Sequence, residues 1–344
     1  MPNDILTRAI DEICRGTHLT ADHTSAALAE IMEGRASEVQ TAAFLISLRA
    51  KGETVSELVG LARTMRSLAA HVEIDEPNLV DTAGTGGGPT TFNISTTAAL
   101  IAAGAGCSVA KHGNRSATSR SGSADVLEAL DVDIELSPDE VATCIEEIGL
   151  GFMFAPKHHK AMAHVVPVRK ELAVRTIFNF LGPLTNPAGA IAHLLGVSDR
   201  AYQEIIADAL VQLGCARALV VSADDGIDEL SVASRTRVIE VAEGRTEEWF
   251  VDATELGLGS APLDAIPGGE PAENAAVVRA VLEGEQGPPR DVSILNAGAA
   301  IYVASAAGEL QEGVAKAREA IDSGAARDVL GRLVARSKEL SGAT

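Results

Sequence analysis

From Asn78 onward the chain alternates short apolar runs with longer segments of helical spacing, and this alternation limits the fold more than any other feature. The runs Leu79–Thr82, Cys107–Ala110, Gly151–Phe154, His193–Val197, Ala218–Ser222 and Ser293–Leu295 have the length and continuity of buried strands. Helix starts lie between them. In Ser137-Pro-Asp-Glu140 a capping serine, a first-turn proline and a returning glutamate follow in order. Strand and helix in alternation predict an α/β domain with a mostly parallel central sheet flanked by helices. Arg235–Val241 and Glu247–Val251, on either side of Glu243-Gly244-Arg245, predict a β-hairpin at a sheet edge or in an excursion.

The first seventy residues have a different texture. Ser37-Glu-Val-Gln40 and Thr54-Val-Ser-Glu57 have capping-box form, and Ala42, Ala43, Leu45, Ile46 and Leu48 make an apolar stripe between them. With Gly34 and Gly52 at the expected stops, a small N-terminal domain of about four helices is predicted. A chain of 344 residues accommodates this domain, residues 1–72, beside a larger one, residues 73–344.

Two loops carry the chemistry. Asp81-Thr-Ala-Gly84-Thr-Gly86-Gly87-Gly88-Pro-Thr-Thr91-Phe-Asn93-Ile-Ser95-Thr96 reads as strand, glycine loop and helix start, the order that turns backbone N–H groups toward an anion. Lys111-His-Gly113-Asn114-Arg115-Ser116-Ala117-Thr118-Ser119-Arg120-Ser-Gly-Ser123 adds charges and hydroxyls after a second strand. A plain turn explains one glycine loop; two such loops predict an oligophosphate site. Lys111 and the hydroxyls of Ser95, Thr96, Ser119 and Ser123 are the expected phosphate partners.

Charge sharpens this reading. The net charge of −20 argues against nucleic acid as the main partner. Yet the windows Asn78–Ala124 and Gly151–Ala190 together hold eight bases and two acids, net +6, leaving −26 on the remainder. A local basic cleft is therefore expected in an acidic protein. No apolar stretch is long enough for a membrane helix, and the acidic start MPNDILTRAIDE lacks a secretory pattern. Cys14, Cys107, Cys144 and Cys215 are scattered without a CxxC pair, which predicts buried free thiols and a reducing, cytoplasmic setting.

Later in the chain Asp228-Glu229 follows the run Ala218–Ser222, in Asp224-Asp-Gly-Ile-Asp-Glu. Neighbouring carboxylates serve one site only from a loop, where they suit Mg²⁺; a solvated acidic turn is the other reading of the same residues. Arg169 offers a flat, bidentate match to a carboxylate, though an exposed helix arginine would look the same.

The wording GTGG, TFNIST, KHGNRSATSRSGSADVLEAL, RTIFNFLGPLTNP and DDGIDE, spread over nearly the whole chain, resembles the anthranilate phosphoribosyltransferase family. The resemblance implies transfer of phosphoribose from phosphoribosyl pyrophosphate to the amine of anthranilate in tryptophan biosynthesis, by a homodimer whose helical domains meet. It implies that part of residues 160–190 returns to the helical domain and lines a cleft. It implies phosphoribosyl pyrophosphate at Gly84, Gly87, Gly88, Thr91, Asn93, Ser95, Thr96, the run Lys111, His112, Gly113, Asn114, Arg115, Ser116, Ala117, Thr118, Ser119, and Ser123. Anthranilate would meet Gly84, Asn114, His159 and Arg169, and Mg²⁺ would meet Ser95, Asp228 and Glu229. His158 is a bystander, and His112 is equally a packed, backbone-bonding histidine.

There are two departures. Gly88 stands where many members have an acid, in a loop one residue shorter, and Met162 stands where some have an aromatic. No acid or base is assigned. A pyrimidine nucleoside phosphorylase, a nucleic-acid-binding relative and a silent paralogue are the alternatives; the KHGN run, RTIFN and the Asp-Glu pair favour the transferase over the first.

Overall fold

The structure, a computed structural model, describes residues 2–116 and 119–342. Four helices open the chain: α1 (Asp4–Cys14), α2 (Ala21–Met32), α3 (Glu38–Lys51) and α4 (Val55–Ser67). At α4 the Thr54–Glu57 box closes in both directions. At α3 only half of it forms: Ser37 accepts the Gln40 N–H, while the Gln40 side chain accepts from the Asn3 backbone at 2.9 Å. Gln40 thus ties α3 to the start of α1.

The α/β part continues with β1 (Val80–Gly84), α5 (Ile94–Gly104), β2 (Val109–Gly113), α6 (Ser123–Ala129), α7 (Pro138–Ile148) and β3 (Leu150–Phe154). Short helices α8 (Ala155–His158), α9 (Val166–Leu172) and α10 (Phe178–Leu181) lead to β4 (Ala192–Gly196), α11 (Gln203–Gln212) and β5 (Arg217–Ala223). Strands β6 (Thr236–Ala242) and β7 (Arg245–Val251) precede four helices, α12 (Pro271–Leu282), α13 (Pro288–Val303), α14 (Leu310–Asp322) and α15 (Ala325–Ser341). The sheet runs β3-β2-β1-β4-β5-β6-β7, parallel through β5 and antiparallel beyond it. Glu243 and Gly244 turn the β6–β7 hairpin with φ of 51° and 73°, the mirror-image turn that suits strand twist.

One expected strand is a helix. Ser293–Leu295 lies inside α13, whose Ile294, Leu295, Ala297, Ala299, Ala300 and Ile301 are all fully buried. A helix buried on every side reads as a continuous apolar run, and three residues of it look like a strand. Cys14 also departs from expectation, being exposed, while Cys107, Cys144 and Cys215 are buried free thiols.

The sheet separates two cores. One face packs on α5, α7 and α13 through Val80, Val109, Leu194 and Leu219. The other face, through Leu195, Val220 and Ile239, shares a cluster with Phe44, Leu58 and Leu61 of the N-terminal helices and with Val165, Phe178 and Phe180. No described helix is long and apolar enough to cross a membrane.

Candidate active site

Chain order reverses across the sheet between β1 and β4, since β2 and β3 lie to one side and β5 to the other. In open α/β sheets a crevice forms outside the strand carboxyl ends at such a point. The two strands end in register at Gly84 and Gly196. Both ends are glycine for a visible reason: a Cβ on Gly84 would lie 2.3 Å from Asp228 Oδ2, and one on Gly196 only 1.6 Å from the Asp228 carbonyl oxygen. The turn after β5 therefore folds back over the ends of β1 and β4. Asn296 of α13 holds it, accepting the Leu230 N–H at 3.0 Å and donating to the Leu230 carbonyl at 2.8 Å. Ser231 Oγ donates to Asp225 Oδ2 at 2.6 Å.

Asp228 and Glu229 are half-buried on this loop rather than solvated. Asp228 Oδ2 accepts the Gly86 N–H at 2.7 Å. Burial pushes the Asp228 carboxyl up, opposed by the Gly86 N–H. Burial and then the Asp228 carboxylate push Glu229 up to about 8, opposed by the Lys111 ammonium and the Ser95 backbone N–H. Two neighbouring carboxyls, both raised by burial and one raised further by the other, are a set that a hard dication relieves. Among the described residues no group of three or more His, Cys, Asp or Glu side chains is placed for a metal. A cation here would complete its shell from Ser95, water and substrate oxygens, which is the habit of Mg²⁺.

Lys111 reaches this site by its charge. It is 2 % exposed, and its ammonium donates to the Thr82 carbonyl at 2.5 Å, Thr82 Oγ1 at 3.3 Å and Ser95 Oγ at 3.4 Å. Beneath it Asp81, fully buried, accepts the His112 N–H at 3.1 Å and Asn186 Nδ2 at 2.8 Å. Burial raises Asp81 to about 6 even with Lys111 opposing. Burial also lowers Lys111, with Asp81 and Glu229 opposing.

The glycine loop is shaped from behind. Arg175 Nη2 donates to the Gly86 carbonyl at 2.9 Å and the Thr85 carbonyl at 3.4 Å, and Ser198 Oγ donates to the Gly86 carbonyl at 2.7 Å. Among the described residues the N–H groups of Gly87 and Gly88 have no acceptor. A Cβ on Gly88 would meet the Gly226 carbonyl at 2.4 Å, so the acid common in this loop has no room here. Beyond the loop α5 presents its N-terminus, where Thr96 Oγ1 is buried with no partner among the described residues. Thr91 pairs with Pro267, and Asn93 joins the loops, donating to the Ser121 carbonyl at 3.2 Å and accepting from Asn274 at 2.8 Å. Unpaired N–H groups at a helix start form an anion site.

The second loop is less convergent than expected. Arg115 turns outward to Asp125 at 3.0 Å and to Glu128, so its charge is spent on α6. Lys157 pairs with Glu135 at 2.9 Å, another base expected in the cleft and found on the outer surface. Ser116 and Ser119 bond each other at 2.6 Å, Asn114 is exposed, and Ser123 Oγ donates to the Asn114 carbonyl at 3.3 Å beside Gly113. Ala117 and Thr118 lie outside the described residues.

Of the histidines, His112 is a packed one: it bonds the Gly182 carbonyl at 3.2 Å, and burial holds it down to about 3. His158 is tied to the Ala70 carbonyl at 3.0 Å. His159 lies 5.1 Å from the His112 ring, and burial, then His158, lowers it to about 4 against a bond to the Thr185 backbone. Arg169 is half-buried over the Phe178 ring at 5.6 Å, and among the described residues its guanidinium has no acceptor. Burial lowers its pKa, and a guanidinium stays charged in proteins.

Sequence reasoning did not assign roles to Arg175, Asn186, Gly196, Ser198 or Asn296. Arg175 stood inside the RTIFN wording and among the bases expected in the cleft, and Asn186 stood inside the LTNP wording at an Asn-Pro turn.

The helical-bundle domain of the glycosyl transferase family matches residues 7–69, and the a/b domain of that family matches residues 76–327. Anthranilate phosphoribosyltransferase of Rubrobacter xylanophilus is 52% identical over 98% of this chain and 99% of its own. That of Symbiobacterium thermophilum is 51% identical over 94% of this chain and 95% of its own. The crystal structure of anthranilate phosphoribosyltransferase from Thermus thermophilus superposes with a TM-score of 0.91 at 47% identity, covering 96% of this chain and 99% of that one. The Saccharomyces cerevisiae enzyme in complex with PRPP and Mg gives 0.89 at 26% identity, covering 97% and 98%. The chain belongs to the anthranilate phosphoribosyltransferase family.

Proposed function

We propose that the chain transfers the phosphoribosyl group of 5-phosphoribosyl 1-pyrophosphate to the amine of anthranilate, releasing pyrophosphate, as a step of tryptophan biosynthesis. The observation that carries the reading is Asp228 and Glu229 seated over the ends of β1 and β4, facing the glycine loop and the start of α5. The pyrophosphate lies along the free N–H groups of Gly87 and Gly88 and the α5 N-terminus, with Thr96 Oγ1 as a further donor. Asp228, Glu229 and Ser95 hold Mg²⁺, which when bound offsets the charge that gathers on the departing pyrophosphate. Lys111 supports the same charge from below.

Breaking the C1–O bond leaves positive charge on the ribose, as in glycoside cleavage. Arg169 clamps the anthranilate carboxylate, with Asn114, Gly84 and His159 around the ring. The aniline-type amine is already neutral at pH 7, and His112 and His159 are held neutral, so alignment of amine and C1 outweighs proton transfer. The protein acts in the cytoplasm as a homodimer, with residues 1–72 and part of 160–190 forming the helical unit against residues 73–344.

Loss of anthranilate fluorescence with donor and Mg²⁺ tests the assignment. The expected result is loss that needs both. No loss, together with phosphorolysis of thymidine, would overturn it.

A further inference from the structure

Arg175 belongs to neither set of expected ligands, yet it holds two successive carbonyls of the glycine loop. Its Nη2 donates to the Thr85 and Gly86 carbonyls, and its Nη1 lies 3.3 Å from Ser198 Oγ. Ser198 Oγ donates to the same Gly86 carbonyl, and the Ser198 N–H donates to Thr85 Oγ1 at 3.2 Å. The arginine is itself fixed. Its plane sits over the Phe180 ring at 5.7 Å, and Arg49 of α3 donates to its carbonyl at 2.5 Å. A Cβ on Gly87 would lie 2.0 Å from Nη1, so the loop is pressed onto the guanidinium along its length.

A peptide plane has two sides. Where Arg175 and Ser198 draw the Thr85 and Gly86 carbonyls to one side, the Gly86 N–H is directed to the other, where it meets Asp228. Gly86 and Gly87 sustain this turn with φ of 64° and 90°. A cation on the carbonyl side also strengthens the dipole that the loop offers an anion. Arg175 reaches this position from the segment between α9 and α10, so the loop's shape depends on residues about ninety positions away.

We infer that Arg175, with Ser198, is a positioning residue that sets the glycine loop in its pyrophosphate-binding shape without touching the donor's phosphates itself. The inference rests on the transferase reading above. It assigns Arg175 to the donor and not to the acceptor, although it lies six residues from Arg169.

The test is steady-state kinetics of the full chain, with each substrate varied at saturating Mg²⁺. Arg175→Ala is expected to raise the KM for phosphoribosyl pyrophosphate about tenfold, the order expected for losing charge-assisted hydrogen bonds. The anthranilate KM should stay within about twofold of the parent. Arg175→Lys, which keeps the charge and one donor, should recover part of the loss, and Ser198→Ala should shift the donor KM in the same direction. A thermal melt of each variant guards against misfolding; if Arg175→Ala melts early, the lysine and Ser198 variants carry the test. An unchanged donor KM, or equal rises in both KM values, would overturn the inference. A parent chain that does not turn over these substrates would instead sink the transferase reading.

Discussion

The end of β4 gives a quantitative handle on the site. Gly196→Ala places a methyl 1.6 Å from the Asp228 carbonyl oxygen and 2.4 Å from its carbon. Ordinary contact begins at 3.4 Å, so the Asp228 backbone must withdraw by about 1.8 Å or β4 must sink. β4 cannot sink readily, because β1 and β5 pair with it on both sides over its whole length. Withdrawal strains the 2.7 Å bond from the Gly86 N–H and the two Asn296 bonds to Leu230. The overpacking costs about 1–3 kcal/mol, a fall of a few degrees in Tm for a chain of this size. Activity suffers more, since a displacement near 1 Å in a reacting constellation is worth about 100-fold.

The assay is initial rate against Mg²⁺ concentration, followed by anthranilate fluorescence, with a thermal melt alongside. The expected result is a kcat about 100-fold lower and a higher Mg²⁺ requirement. Gly331→Ala is the control. It lies inside α15 with nothing within 4 Å of a Cβ, so it should leave activity intact and stabilise by up to ~1 kcal/mol. A Gly196→Ala enzyme with kcat within about threefold and an unchanged Mg²⁺ dependence would refute the placement of Asp228.

Other predictions follow from the same geometry. Arg169→Ala should raise the anthranilate KM by about 10- to 100-fold with little change for the donor, as expected for a lost charged hydrogen bond; equal damage to both would remove Arg169 from the acceptor pocket. Glu229→Gln removes a carboxyl crowded by Asp228, so Tm should hold or rise while activity falls about 100-fold or more. Retained activity would argue against the metal assignment. His193, held down to about 4 by burial and then by Arg66, is protonated in the unfolded chain before the folded one. Its contribution to stability is complete above pH 6.5 and is lost toward pH 4. The stability difference between the parent and His193→Gln should therefore shift against the parent by about 1.4 kcal/mol per pH unit across that window, read from urea midpoints. A constant difference would contradict the burial of a neutral imidazole.

The parallel strands were legible because they are short, largely apolar runs, three of which end in glycine at Gly84, Gly113 and Gly196, a pattern that one sequence displays. α13 was not legible, because burial on all sides erases the polar face that marks a helix. Within the site, the glycine loop and the Asp-Glu pair carried compositional signals of their own. Arg115 shows what composition omits: a base in a phosphate-type loop reads as a ligand, and its pairing with Asp125 and Glu128, ten and thirteen residues later, is visible only in the structure. Arg175, Asn186 and Asn296 act through backbone carbonyls and N–H groups, contacts that leave no trace in side-chain composition.

The N-terminal helices do more than cap the molecule. Their core residues Phe44, Leu58 and Leu61 belong to the same apolar cluster as Leu195, Val220 and Ile239 on the sheet. A fragment starting near residue 73 would thus present a greasy β-surface to water, and would stick to its own kind before it could serve as a minimal catalyst. The shared core predicts that the two bodies melt in one cooperative transition.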